Sequence, residues 1–174
     1  KTFISNNSLN EFFEGEIKEV GLIVQGGLYN NLISALKELN ISDSLGNSKI
    51  SIYVLNIVHP LIPEEVITYA RKFKAVLIIE EGQPQYIEQE LGLLFHKEKI
   101  EVSLIGKDVL PMAGEYTSEV IHKGVFNFIK QYIPNFSSFS NLDYNIEVDQ
   151  LREKASSSLG EIVPPRPPGF CTGC

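Results

Sequence analysis

Cysteine is scarce in this sequence of 174 residues: there are two, Cys171 and Cys174, both among the last four positions. A disulfide-stapled body is excluded, and with 43% hydrophobic residues the chain can build a core without staples. Long apolar runs are missing as well. No stretch approaches the roughly 20 residues that span a bilayer, and Lys1-Thr2-Phe3-Ile4 lacks a signal peptide's hydrophobic segment, so no membrane association and a cytoplasmic location are expected. Positive charge is in deficit: 15 Lys and Arg stand against 22 Asp and Glu, net charge -7, with no basic run. Counterion release therefore gives neither nucleic acid nor anionic lipid a hold. No nucleophile elbow, HExxH pair, Walker lysine or EF-hand loop occurs, which leaves no catalytic residue to name. The chain starts without Met and ends inside a CxxC, and it reads as a piece of a longer polypeptide.

The sequence is organised around Ala75 to Phe95. Ala75–Ile79 is an unbroken apolar run, the pattern of a strand buried on both faces, and it is expected at the sheet centre. Glu80, Glu81 and Gly82 end it, Pro84 stands where a helix can begin, and Ile87, Leu91, Leu94 and Phe95 recur on one helical face. The same unit recurs along the chain. Gly21–Gln25 is a strand that ends in Gly26-Gly27, followed by a helix from about Leu28 with Leu32, Ile33, Leu36 and Leu39 inside. Ile50–Ile57 is the next strand, with Pro63 opening a helix whose core stripe is Val66, Ile67, Ala70 and Phe73. Ile100–Ile105 follows, and then a helix capped by Thr117 that buries Ile121, Val125, Phe128, Ile129 and Tyr132 before Pro134. Such alternation predicts an α/β fold, a three-layer α-β-α sandwich on a mostly parallel sheet of about five strands.

The expected boundaries are an entry segment at 1–19, anchored on a neighbour by Phe3, Phe12 and Phe13, and the α/β domain at 20–134. An irregular strap with a short polar helix at Asp149–Ser158 follows at 135–163, and a proline-rich linker at 164–174 opens onto a further domain.

Cys171 and Cys174 are the sharpest chemical signal. Two thiolates at this spacing can hold a metal or one iron of a cluster, serve as a redox dithiol, or do neither, and a closed site needs ligands that this chain lacks. Gly26-Gly27 before a helix can face an anion or simply let the chain turn. Glu80-Glu81 stand at a strand's carboxyl end, where open sheets place ligands, or they complement the following helix and bridge to a neighbour. His59, His96 and His122 lie on three separate elements without ligand spacing and read as structural or solvated.

Several stretches together carry a resemblance: Gly21 to Asn30 (GLIVQGGLYN), His59 to Glu64 (HPLIPE), Val76 to Glu81 with Pro84, Glu88 and Gln89, Gly106 to Pro111 with Gly114 and Glu115, and Pro164 to Pro168 leading into Cys171 and Cys174. About residues 20–174 resemble the transketolase C-terminal-like domain of the indolepyruvate ferredoxin oxidoreductase alpha subunit, with its junction to the second thiamine diphosphate domain. The resemblance implies a 2-oxoacid:ferredoxin oxidoreductase with thiamine diphosphate, magnesium and iron–sulfur clusters, coenzyme A as acyl acceptor, ferredoxin as electron acceptor, a smaller gamma- or beta-type partner subunit, and a homodimer. It implies iron–sulfur ligation by Cys171 and Cys174, completed outside this chain, although Thr172 replaces the family's usual proline. The family's glutamate for the pyrimidine ring and its Gly-Asp-Gly segment have no counterpart here, so this domain is expected to be structural. The rival is a free-standing small-ligand module with an anion at Gly26-Gly27. A small redox protein using the CxxC is a third possibility.

Overall fold

Five short segments rich in Ile, Val and Leu pair into one sheet, and the residues between them wind into helices because their apolar side chains return every three to four positions. The computed structural model describes residues 1–43, 45–136 and 154. In chain order the elements are α1 (Thr2–Asn6), β1 (Glu11–Phe13), β2 (Ile17–Gln25), a 3-10 turn (Gly26–Leu28), α2 (Tyr29–Glu38), β3 (Ile50–Leu55), α3 (Pro63–Ala70), β4 (Ala75–Ile79), α4 (Tyr86–Lys97), β5 (Ser103–Ile105) and α5 (Ser118–Tyr132).

The strand order is β1-β3-β2-β4-β5. β2 to β5 run parallel, with Ile23 opposite Tyr53 on one side and Ile78 on the other, and β1 closes one edge antiparallel to β3, Phe12 opposite Tyr53. The central strand is therefore β2. The expectation that Ala75–Ile79 holds the centre is corrected: β4 lies one place from it, and its five residues are buried because helices cover both of its faces.

Successive residues of a strand point to opposite faces. On one face Ile23, Tyr53, Leu55, Val76 and Ile78 meet Val66, Tyr69 and Ala70 of α3, the following Phe73, and Ile87, Leu91 and Phe95 of α4. The alternate residues, Leu22, Val24, Ile52, Val54, Leu77 and Ile79, are also buried, and α2 and α5 pack side by side over β2 and β4 on that face. This is the α-β-α arrangement expected. One polar thread runs through it: the Tyr69 hydroxyl accepts from the Leu22 N–H at 3.0 Å and lies 2.8 Å and 2.6 Å from the carbonyl oxygens of Leu22 and Ser51. Gly21 makes this possible, since a Cβ there would sit 2.7 Å from the Phe73 ring and 2.9 Å from that hydroxyl.

Several boundaries move. The first long strand begins at Ile17, not Gly21, because its early residues reach β3 through an irregular register. β3 stops at Leu55 and β5 keeps only Ser103–Ile105. α4 starts at Tyr86, two residues after Pro84, since Gln85 takes the cap position. Ile33, Ile67, Leu94 and Tyr132, expected inside, are half-buried. The entry segment holds α1, β1 and the start of β2. Its Phe12 stacks on Tyr53 with centroids 4.3 Å apart, and Phe13 stacks on Tyr29 of α2 at 5.5 Å, so β1 places one ring on each face of the sheet. The strap beyond Phe136, the helix expected at Asp149–Ser158, the linker, Cys171 and Cys174 lie outside the described residues, Lys154 excepted.

Candidate functional site

The chain leaves β2 for β3 on one side and reaches β4 on the other, so the connections diverge at the carboxyl ends of β2 and β4, the place where open parallel sheets leave a crevice. A groove of about 510 Å³ opens there, lined by Gln25, Gly26, Gly27, Leu28, Leu55, Asn56, Val58 and Glu81. Gly26 is required by packing, because a Cβ would lie 2.5 Å from Asn56 Oδ1, whereas a Cβ at Gly27 meets nothing within 4 Å. The groove's polar wall is thus backbone, the Gln25 and Asn56 amides and the Glu81 carboxylate, and its apolar wall is Leu28, Leu55 and Val58.

Beside it, the β4 carboxylates divide their work. Glu80 is 5% exposed, and its two oxygens accept from the backbone N–H groups of Ile87 (2.9 Å) and Glu88 (3.0 Å). It therefore caps α4 through space, satisfying donors that the helix itself cannot. Glu81 donates its N–H to Gln25 Oε1 at 2.8 Å and accepts from the Tyr116 N–H at 2.7 Å, tying β2 to the segment before α5. Glu88 accepts from the Lys107 N–H at 3.1 Å, and a Cβ at Gly106 would collide with its carboxylate.

Lys107 closes the cluster. Its ammonium donates to the Glu80 carbonyl (2.7 Å), the Tyr116 hydroxyl (2.7 Å) and the Pro111 carbonyl (3.4 Å). Burial holds its pKa below the usual lysine value, while the carboxylates of Glu80, Glu88 and Glu81 pull the other way. Tyr116 is fully buried, donates to the Pro111 carbonyl at 2.5 Å, and is pushed up to about 12 by burial first and then by the same three carboxylates. All of these groups are engaged. The arrangement fastens the 106–116 loop to the sheet.

Of the residues singled out from sequence, Gly26, Gly27 and Glu81 come together in the groove, whereas Glu80 serves α4. His59 is exposed, 3.9 Å from Glu90. His122 is buried on α5, and His96 lies exposed near the end of α4. Among the described residues no group of three or more His, Cys, Asp or Glu is placed to hold a metal ion. Lys107 and Tyr116 were missed. The available signal was a lysine directly after the glycine that follows the fourth parallel strand, at the same end of the sheet as Glu80-Glu81.

No family model matches the chain. Indolepyruvate oxidoreductase subunit IorA of Pyrococcus abyssi is 27% identical over 170 residues, and that of Thermococcus kodakarensis 28% over 171, each alignment covering 97% of this chain and 23% of the relative. The chain thus spans about a quarter of the length of these curated relatives. Among solved structures, a split-gene transketolase, an inactive β4 tetramer, superposes with a TM-score of 0.52 at 17% identity over 71% of this chain and 42% of that one, which is a likeness of fold. Over nearly its whole length, then, this chain resembles part of the IorA subunit of indolepyruvate oxidoreductases and folds as an α/β domain of transketolase type.

Proposed function

We propose that this chain is one domain of a 2-oxoacid:ferredoxin oxidoreductase acting on an arylpyruvate of the indolepyruvate type, and that the domain assembles the enzyme without performing its chemistry. The observation that carries the reading is the similarity to IorA subunits over 97% of the chain, confined to 23% of their length. In such an enzyme thiamine diphosphate with magnesium and iron–sulfur clusters supply the chemistry: the keto acid and coenzyme A give acyl-CoA and carbon dioxide, and two electrons pass to ferredoxin. The described residues do not fit those groups. The carboxylates of Glu80, Glu81 and Glu88 are each engaged by backbone N–H groups of this same domain, which supports a holding role. Cys171 and Cys174 are proposed as cluster ligands completed by residues elsewhere in a cytoplasmic, dimeric enzyme with a smaller partner subunit. The second reading, a small-ligand module, rests on the groove between Gly26-Gly27 and Glu81.

The test is anaerobic expression of this chain alone and within its complete reading frame. Iron, acid-labile sulfide and dye reduction by arylpyruvates with coenzyme A are then measured. Iron and activity in the complete protein, with loss of iron in Cys171→Ser, support the proposal. A complete protein without cluster and inert with every keto acid leaves the small-ligand module standing.

A further inference from the structure

A second hollow lies on the α3 face of the sheet, beside the β1 edge, away from the carboxyl-end groove. It measures about 410 Å³ between Phe12, Tyr69, one side of α3 formed by Glu64, Glu65 and Thr68, and Lys72 just beyond that helix. Its floor is aromatic. The Phe12 ring is stacked on Tyr53 at 4.3 Å and 4° and has the tilted Tyr69 ring 6.1 Å away, yet the residue remains 46% exposed and lines the hollow. Tyr53 in turn donates its hydroxyl to Glu65 at 2.8 Å, and Asn10 donates to both groups at 3.2 Å and 3.1 Å. A tyrosine that donates to a carboxylate is richer in π-electron density, which strengthens the stack's pull on a cation.

The rim charges are unequal. Glu65 is held by Ser5, Asn10 and Tyr53, and Lys72 is spoken for by Glu14 at 3.4 Å. Glu64, exposed in the first turn of α3, has no hydrogen bond or ion pair among the described residues. An apolar slot with an exposed ring and an unpaired carboxylate at its mouth complements one kind of side chain, a flat cation on an apolar stem. We infer that this hollow receives an arginine side chain of a partner protein, its guanidinium lying on Phe12 and paired with Glu64. Planar guanidinium stacks on rings and forks onto carboxylates as ammonium does not, and buried arginines rank among the residues that dominate interfaces. The site is separate from the oxidoreductase reading, and either can fail without the other.

The test is titration of the isotope-labelled full chain with acetyl-arginine amide, acetyl-citrulline amide and acetyl-leucine amide, followed by backbone amide resonances. Citrulline has the shape of arginine without its charge. The expected result is saturable shifts at Phe12 and Thr68 with the arginine probe, at least about threefold weaker with citrulline, the difference disappearing in Glu64→Gln. Glu64 is exposed and unpaired, so that variant retains the fold. Equal response to arginine and citrulline, stronger response to leucine, no response at Phe12 and Thr68, or an arginine preference that survives in Glu64→Gln overturns the inference.

Discussion

The Lys107 ammonium donates to the Tyr116 hydroxyl at 2.7 Å and lies 4.5 Å from the centre of the same ring, so the tyrosine holds the cation through its oxygen. The pair spans the 106–116 loop and joins it to the β4 end through the Glu80 carbonyl and the Glu81 carboxylate.

Lys107→Met is expected to lower stability by about 1–2 kcal/mol, because the Glu80 carbonyl and Tyr116 hydroxyl lose a charged donor while solvent replaces part of it. Tyr116→Phe should cost about 1–2 kcal/mol. The two losses should not add: a double-mutant cycle by urea denaturation should give a coupling of at least about 0.5 kcal/mol. Strict additivity would show that the contact carries no energy.

Glu80→Ala removes the acceptor of two α4 backbone donors and should cost about 2 kcal/mol, with Glu80→Gln losing less because one side-chain oxygen still accepts. Amide hydrogen exchange should quicken at Ile87 and Glu88 before the rest of α4. Unchanged exchange there would remove Glu80 as the cap.

His122 is 5% exposed on α5, and burial holds its pKa below the usual 6.5 despite Glu38 and Glu119, with Lys123 acting in the same direction as burial. The unfolded chain therefore binds more protons between the lowered folded pKa and 6.5. The neutral imidazole's contribution is complete above 6.5 and is lost as pH falls below it. Denaturation midpoints of the wild type should drop from pH 7 to about 5, and His122→Gln should flatten that slope. A slope that survives the substitution belongs to another group.

Gly21→Ala is expected to destabilise by about 1–3 kcal/mol, since its methyl meets the Phe73 ring and the Tyr69 hydroxyl in a packed layer. Gly27→Ala meets nothing and should change stability by less than about 0.5 kcal/mol while narrowing the groove. Thermal melts of the two variants separate a packing glycine from a groove glycine.

The alternation of strand and helix was legible in the sequence because each element announces itself locally. The apolar run Ala75–Ile79 is buried throughout, Pro63 opens α3, and Thr117 caps α5 by accepting from the Val120 N–H at 3.4 Å. These signals depend on neighbours within a turn of helix or a few residues of strand, and so they survive without knowledge of the rest of the fold. Within the resemblance stretches that fall among the described residues, Gly26-Gly27, Glu80-Glu81 and Gly106 follow the carboxyl ends of β2, β4 and β5.

Other relationships were decided only by the tertiary structure. The sequence carries no mark that β2 and not β4 stands at the centre, since strand order follows from the directions of the crossovers and β4 is the more uniformly apolar of the two. Glu80 and Glu81 look alike in the chain, yet one caps a helix seven residues on and the other reaches Tyr116, 35 residues away. Lys107 acquires its meaning in the same way from Glu80, 27 residues earlier and brought beside it by the parallel β4–β5 pair, and Phe12 from Tyr53, across the antiparallel β1–β3 edge. Local chemistry set the elements, and burial of their apolar faces against one another set which charges and rings would meet.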